Sequence, residues 1–320
     1  MLNEKMVGLG SRRSVIREIF EYGKKRKAEI GEENVFDFSL GNPSVPTPAA
    51  VTVALERIIK ETDQVRLHGY TSAQGDMAVR AKIAESIEKR FGFPANKDLI
   101  YMTCGAAASL TVTLNALINS GDEVIIPAPF FPEYRVFAEN AGAHVVTVQC
   151  REPDFQPNIK AIESAVTKKT KAIIINSPNN PTGAVFSPDT VKALSDMLDK
   201  KQAEYGTDIY IIADEPYREL SYGAEVPYIP KYYANTVVCY SYSKSLSLPG
   251  ERIGYIFIPE SAKDSKKLYA AVCGAGRALG FVCAPSLMQY TVAECTDVLP
   301  DVSAYKKNRD LLFGALTDYG

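Results

Sequence analysis

Residues 209–217 read IYIIADEPY, an apolar run that ends in the acidic pair Asp214 and Glu215. A short, isoleucine-rich run of this kind predicts a buried strand. A carboxylate at the end of a buried strand costs several kcal/mol when it is desolvated and unpaired, so Asp214 needs a cation nearby. Alternatively, Asp214 caps the following turn or pairs with a structural lysine. The segment therefore predicts a central strand with a polar group at its carboxyl end.

Helix and strand patterns alternate on both sides of this segment. The predicted helices are 12–30, 48–61, 75–91, 106–119, 132–141, 158–165 and 187–203, and the predicted strands are 34–40, 99–103, 123–127, 143–148, 172–176, 209–214, 236–241 and 253–258. Such alternation indicates βαβ units and an α/β fold, with three α/β/α layers around a mostly parallel sheet. In open α/β sheets ligands bind beyond the carboxyl ends of the strands, so we expect the site there.

Length and composition describe an ordinary globular chain. Its 320 residues suggest about two domains, and 46% of them are hydrophobic. Lys plus Arg number 36 against 38 Asp plus Glu, a net charge of −2 that gives no global attraction for nucleic acid or an anionic membrane. The longest apolar runs have strand length, and the N-terminus lacks the apolar region of a secretory signal. We expect a soluble, cytoplasmic protein that acts on small molecules.

Cysteine and histidine usage argues against metal chemistry. The six cysteines contain no CxxC pair, and we interpret them as reduced core residues. His68 and His144 are the two histidines, and neither has a cysteine or carboxylate at metal-ligand spacing. Catalysis would then use another base.

Polar motifs follow three of the predicted strands. They are NSPNNPTG at 176–183, DEPY at 214–217 and SYSKSLSLPGER at 241–252. In isolation Lys244 would be a solvated loop residue and Asn180 an ordinary turn residue. Together the motifs fit one chemical object, a pyridine ring that carries a phosphate, a phenolate oxygen and an aldehyde, which is pyridoxal phosphate.

With YMTCGAAASL at 101–110, and in this order, the motifs resemble those of the class I and II aminotransferases of pyridoxal-phosphate fold type I, the aspartate aminotransferase group. The resemblance covers nearly the whole chain from SLGNP at 39–43 onward. It implies that Lys244 forms an aldimine with the cofactor aldehyde and later moves a proton. It also implies that Asp214 keeps the pyridine nitrogen protonated, while Tyr217 and Asn180 hydrogen-bond the phenolate oxygen.

A phosphate site is predicted at the start of the helix after strand 99–103. Gly105, Ala106 and Ala107 open that helix, so backbone N–H groups and the helix dipole would receive the phosphate. The resemblance adds Arg252, which is eight residues after Lys244, together with the hydroxyls of two serines. These serines are Ser241 and Ser243. Alternatively, Arg252 is a surface residue that precedes the predicted strand at 253–258.

Three further residues are assigned only by the resemblance. Phe131 would stack on the pyridine ring, although it would serve equally well as a core residue. Tyr70 would reach the phosphate from the neighbouring subunit, which implies a homodimer with shared active sites. Gly41, with Asn180, would line the substrate side, where a small residue lets the substrate carboxylate approach.

The chain departs from the family pattern at its C-terminal end. The arginine that holds the substrate α-carboxylate in the family has no candidate here, and we interpret the end at Gly320 as a truncation. Arg277 would recognise a side-chain carboxylate or be a surface or interface residue. The expected domains are an N-terminal arm with a segment of the small domain at 1–47, a large cofactor domain at 48–285, and an interdomain helix with the start of the C-terminal small domain at 286–320.

The predicted activity is transfer of an amino group from an aspartate-like L-amino acid to a 2-oxo acid such as 2-oxoglutarate, by a ping-pong mechanism through the Lys244 aldimine. A carbon–sulfur lyase, or another β-eliminating enzyme of the same fold, is the first alternative. A non-catalytic cofactor sensor is a remote one, because the first 47 residues lack a helix-turn-helix pattern. No nucleic-acid or membrane partner is expected.

Overall fold

The computed structural model describes residues 2–11 and 15–319, which divide into two compact units, Met1–Ser44 and Val45–Gly320. The first unit contains helices α1 (Glu4–Ser11) and α2 (Val15–Ile30) and a 3-10 turn at Glu32–Asn34. Residues 12–14 of the predicted first helix lie outside the described residues. The turn is tied to α2 because the Asn34 amide donates a hydrogen bond to the Ile30 carbonyl over 2.7 Å.

The strand predicted at 34–40 is wrong. Residues 35–38 have no regular structure, and the Ser39 N–H donates to Asp37 Oδ1 over 2.9 Å in a local turn. An alternating sequence forms a strand only where a neighbouring strand satisfies its backbone groups. Here the aspartate side chain supplies a local partner instead.

The second unit alternates helices and strands much as the pattern predicted, and the observed ends of the elements predicted there differ from the predicted ones by at most two residues. Its helices are α3 (Ala49–Glu61), α4 (Gln64–His68), α5 (Met77–Phe91), α6 (Ala106–Leu117), α7 (Glu133–Asn140), α8 (Ile159–Ala165), α9 (Pro188–Tyr205), α10 (Tyr242–Ser245), α11 (Ser265–Leu279), α12 (Ser286–Glu294) and α13 (Ser303–Tyr319). Its strands are β1 (Ile100–Thr103), β2 (Glu123–Ala128), β3 (His144–Gln149), β4 (Thr170–Asn176), β5 (Tyr210–Asp214), β6 (Thr236–Ser241) and β7 (Gly254–Phe257). Short 3-10 turns lie at Lys97–Leu99, Arg218–Leu220 and Ile229–Lys231.

The strands form a seven-stranded mixed sheet in the order β1-β7-β6-β5-β4-β2-β3. Strand β7 is antiparallel to both of its neighbours, β1 and β6, and the remaining pairs are parallel. The carboxyl ends of β1, β4, β5 and β6 therefore meet at one edge of the sheet, together with the beginning of β7. The predicted mostly parallel α/β sheet is confirmed.

Apolar side chains cover both faces of the sheet and produce the three layers. On one face, buried residues of the strands pack with α6, α7 and α11, as in the cluster that contains Leu110, Tyr134 and Val272. On the other face, one cluster joins the strands to α8 and α9, and another joins them to α3, α5 and α12. Helix α13 has no buried residue among those described. The sheet is thus largely buried between helices and supports the loops at its carboxyl edge.

All six cysteines are free, but only Cys239 and Cys295 are buried, so the prediction that all are core residues is wrong for the other four. Those four lie in loops, in one helix and at element ends, where part of the side chain reaches solvent. None of the helices within residues 2–11 and 15–319 combines the length and the apolar character needed to cross a membrane.

Candidate active site

The polar strand ends are brought together by the register of neighbouring parallel strands. Asn176, the last residue of β4, lies opposite Asp214, the last residue of β5. The Asn176 side-chain amide donates to the Asp214 carbonyl over 2.9 Å, and its oxygen accepts the Asn180 N–H over 2.7 Å. Asn176 therefore fixes both loops, a positioning role that we did not predict from the sequence.

An open cleft of ≈ 210 Å³ lies at this carboxyl edge. It brings together the side chains or backbones of ten sequence-predicted residues, which come from five separate segments. These are Ala106, Ala107, Phe131, Asn180, Asp214, Tyr217, Ser241, Ser243, Lys244 and Arg252. Leu110, Tyr134, Pro216 and Pro249 complete the lining. This convergence is what a single bound molecule with several functional groups requires.

Asp214 is a buried carboxylate with one satisfied and one unsatisfied oxygen. Its Oδ2 accepts a hydrogen bond from the Tyr134 hydroxyl over 2.5 Å, whereas Oδ1 is buried and has no hydrogen-bond partner among the described residues. Burial raises its pKa to about 7; the Tyr134 hydrogen bond opposes this rise and the charge of Glu215 adds to it. A cationic N–H placed at Oδ1 would supply the missing partner.

Sequence reasoning did not predict Tyr134. Its ring is 2% exposed, and burial together with the charge of Asp214 raises the pKa of its hydroxyl, which therefore stays protonated as a donor. The available signal was its spacing: Tyr134 lies one helical turn after Phe131 at the start of α7, so both rings lie on the cleft side. The sequence PFFPEY at 129–134 does not by itself indicate which aromatic ring contacts a carboxylate.

Lys244 contributes a side-chain amine to the lining of the cleft. It follows β6 directly in the four-residue helix α10, where burial and then the positive charge of Arg252 lower the pKa of its ammonium group. A lowered pKa increases the fraction of neutral amine near physiological pH, which is the form that attacks a carbonyl or accepts a proton.

Tyr217 and Asn180 form a pair on the side of the cleft next to Asp214. Burial and the charge of Asp214 raise the pKa of Tyr217, and a hydrogen bond with the Asn180 side chain opposes that rise. The pair places a neutral hydroxyl and an amide in the cleft, and such groups can donate to an anionic oxygen.

The start of α6 combines several groups that can bind an anion. Gly105 has φ +83°, and a Cβ built on it would lie 2.8 Å from Arg252 Nη2, so the guanidinium occupies the space that only a glycine leaves open. Arg252 is held by a bond from Nη1 to the Pro249 carbonyl over 2.9 Å, and Nη1 also lies 3.4 Å from Ser243 Oγ. Ser241 Oγ and Ser243 Oγ are 2.8 Å apart. Helix N–H groups, a guanidinium and two hydroxyls match a phosphate.

Four sequence-predicted residues are not among the residues that line the cleft, and one of them, Gly105, lies beside Arg252 as described above. The Tyr70 side chain is 98% exposed in the loop after α4. Arg277 is exposed on α11. Gly41 belongs to the first unit, where it lies in a segment without regular structure. Their predicted roles remain predictions.

Comparison with known proteins points to one family. The sequence model of the family "Aminotransferase class I and II" matches residues 33–318. A probable aspartate aminotransferase of Methanocaldococcus jannaschii is 28% identical over 313 residues, which are 95% of this chain and 77% of that protein. An aspartate aminotransferase of Pyrococcus horikoshii is 33% identical over 82% of this chain, and the match spans 64% of that protein, slightly less than two thirds.

Solved structures show the same likeness. The crystal structure of an amino transferase from Eubacterium rectale is 55% identical, with a TM-score of 0.97 over 100% of this chain and 81% of that one. That of an aspartate aminotransferase from Thermotoga maritima is 28% identical, with a TM-score of 0.84 over 98% of this chain and 80% of that one.

Proposed function

The chain belongs to the class I and II aminotransferases, and from that premise we propose that it moves an amino group from an acidic L-amino acid to a 2-oxo acid in a ping-pong reaction. Aspartate is the first candidate for the donor and 2-oxoglutarate for the acceptor, because several relatives are named aspartate aminotransferases. The observation that carries the proposal is the buried Asp214 with its unpartnered oxygen, in one cleft with Lys244 and Arg252.

Members of this family use pyridoxal phosphate, and the residues of the cleft fit it. When bound, this cofactor supplies an aldehyde conjugated to an electron-withdrawing pyridine ring. Asp214 Oδ1 would accept the ring N–H, and so gain the cation that a buried carboxylate needs. Arg252 and the N–H groups at the start of α6 would bind the phosphate.

The remaining residues of the cleft would orient the ring. Tyr217 and Asn180 would donate hydrogen bonds to its phenolate oxygen, and Phe131 would cover one face of the ring. The two serine hydroxyls, Ser241 and Ser243, would complete the phosphate site.

Lys244 would perform the proton chemistry. Its Nζ would hold the cofactor at its aldehyde when no substrate is bound and, as a neutral amine in the presence of substrate, would accept the proton from the substrate α-carbon. The lowered pKa of Lys244 favours this role because the neutral amine is the base. Lys244 Nζ would hold this proton as an ammonium group and release it later in the same reaction.

We also propose that the active enzyme is a homodimer with shared sites. Tyr70 is 98% exposed, and Val65 on the preceding helix is 82% exposed, which leaves large apolar side chains without cover in one copy of the chain. A second copy would cover them, and Tyr70 would then reach the phosphate of that copy.

Borohydride reduction tests the cofactor assignment. The purified protein is loaded with pyridoxal phosphate, reduced, digested and mapped by mass spectrometry. We expect a pyridoxyl group on Lys244, none in Lys244→Ala, and wild-type labelling in the control Lys266→Ala, which changes an exposed lysine of α11. Labelling elsewhere, or none, would refute the site.

Product analysis tests the reaction. With a panel of amino donors and 2-oxoglutarate, we expect glutamate formation that is fastest with acidic donors. Release of ammonia without an acceptor would instead identify an eliminating enzyme of the same fold.

A further inference from the structure

A second polar cluster lies beside the contact between α10 and the 3-10 turn Arg218–Leu220. Arg90, on α5, makes an ion pair with Glu219 Oε1 in the 3-10 turn Arg218–Leu220; the two side chains are 24% and 4% exposed. The pair joins segments that are 129 residues apart in the sequence. Removing one partner of such an ion pair destabilises the protein, because the charge of the other partner then remains buried without an opposite charge.

The other carboxylate oxygen of Glu219 has no hydrogen-bond partner among the described residues. Oε2 is buried and makes no hydrogen bond within the described part of the chain. Glu219 and Arg90 line a small cavity of ≈ 10 Å³, about the volume that one water molecule needs. Other polar groups surround the same cavity: Ser86, Tyr240, Tyr242, Ser245 and Thr296. A water molecule there would find the several hydrogen-bond partners that buried waters have.

The cavity lies between the backbones that carry two residues of the site. Glu219 is two residues after Tyr217, and the Leu220 N–H donates to the Tyr217 carbonyl over 2.8 Å. Ser245 follows Lys244 directly and accepts a hydrogen bond from the Tyr240 hydroxyl over 3.0 Å. Helix α10 and the Glu219 turn are in contact.

We propose that Glu219 binds one buried water molecule in this cavity, and that the Arg90–Glu219 pair with its water holds helix α10 against the turn that carries Tyr217. Arg90 and Glu219 are positioning residues, because they act through these two segments and do not line the cleft. The effect on catalysis rests on the proposed function, whereas the water and the local rigidity do not.

The water is tested by a crystal structure of the unmodified chain at a resolution that shows ordered solvent. We expect a water within about 3.2 Å of Glu219 Oε2. A dry cavity, or a protein group bonded to Oε2, would overturn the assignment whatever the reaction turns out to be.

The positioning role is tested with Arg90→Met and a matched control, Lys89→Met. Lys89 is the preceding residue of α5 and pairs with Asp297, but those two side chains are 68% and 59% exposed. In the cofactor-free protein we expect Arg90→Met to speed hydrogen exchange of the amides in 242–246 about tenfold, with β4 and β5 unchanged. Lys89→Met should leave exchange as in the wild type, because exposed pairs contribute little.

A second variant and a kinetic measurement separate positioning from a general loss of folding. Glu219→Gln keeps the shape and an acceptor for Arg90, so it should fold and give a smaller increase in exchange at 242–246. In the loaded enzyme, Arg90→Met should lower kcat more than it changes KM, and Arg90→Lys should recover part of kcat. Equal exchange in Arg90→Met and Lys89→Met would overturn the proposal, and the borohydride result would still decide the function independently.

Discussion

Replacing Asp214 by asparagine should make the cofactor-free protein more stable at alkaline pH. Burial raises the pKa of Asp214 from 3.8 to about 7. The folded state therefore holds a proton that the unfolded chain has released between pH 4 and pH 7, so stability falls as the pH rises through this window. At about 1.4 kcal/mol per pH unit, the total loss above pH 7 is about 4 kcal/mol.

Urea unfolding of the cofactor-free wild type and of Asp214→Asn at pH 5 and pH 8 measures this effect. About 3 kcal/mol of the lost free energy of unfolding falls between these two pH values. The amide of Asn does not titrate, so the variant does not show this loss. The free energy of unfolding of the wild type should thus drop by about 3 kcal/mol more than that of the variant. Asp318→Asn, at an exposed position on α13, is the control and should follow the wild type.

Equal pH dependence in wild type and Asp214→Asn would refute the reasoning, since it would mean that Asp214 is already paired or solvated in the folded protein. Saturating pyridoxal phosphate supplies a second check. It should stabilise the wild type at pH 8 strongly and the variant much less, because only the carboxylate gains a partner for its unpaired oxygen.

The remaining predictions concern the neighbours of this carboxylate. Tyr134→Phe removes a hydrogen bond to a charged group and should weaken cofactor binding at pH 8 roughly tenfold or more, measured by fluorescence titration; unchanged affinity would contradict the geometry. Gly105→Ala adds strain and a contact with Arg252, and should destabilise the protein by about 1–3 kcal/mol and reduce cofactor affinity, whereas Gly92→Ala, also at positive φ but with open space around it, should leave affinity intact. Arg252→Lys keeps the charge but loses the forked donor, so phosphate affinity should fall about tenfold. Mixed dimers of Tyr70→Ala and Lys244→Ala chains should regain activity that neither homodimer has, and no recovery on mixing would exclude a shared site.

Much of the site was visible in the sequence because polar residues that end apolar strands converge at one edge of a parallel sheet. Asp214 and Lys244 drew attention in this way, but their roles were predicted from the resemblance to the aminotransferase family. Tyr134 was not predicted, because the orientation of an aromatic ring at the start of a helix depends on packing. The Arg90–Glu219 pair was also invisible, since nothing local links residues so distant in sequence. The strand at 34–40 was predicted wrongly for the same reason, since an alternating pattern does not reveal whether a neighbouring strand is present.

The antiparallel direction of β7 has a consequence for how such an enzyme can change over evolutionary time. Because Ser241 and Gly254 are paired across β6 and β7, the loop 242–253 leaves and re-enters the sheet at one place. It carries both Lys244 and Arg252, whereas Asp214 belongs to the strand scaffold. The two residues that we propose to contact the aldehyde and the phosphate thus lie on one continuous loop. A recombination that exchanged this loop between relatives would therefore transfer both proposed contacts together and leave the strands that flank the loop unchanged.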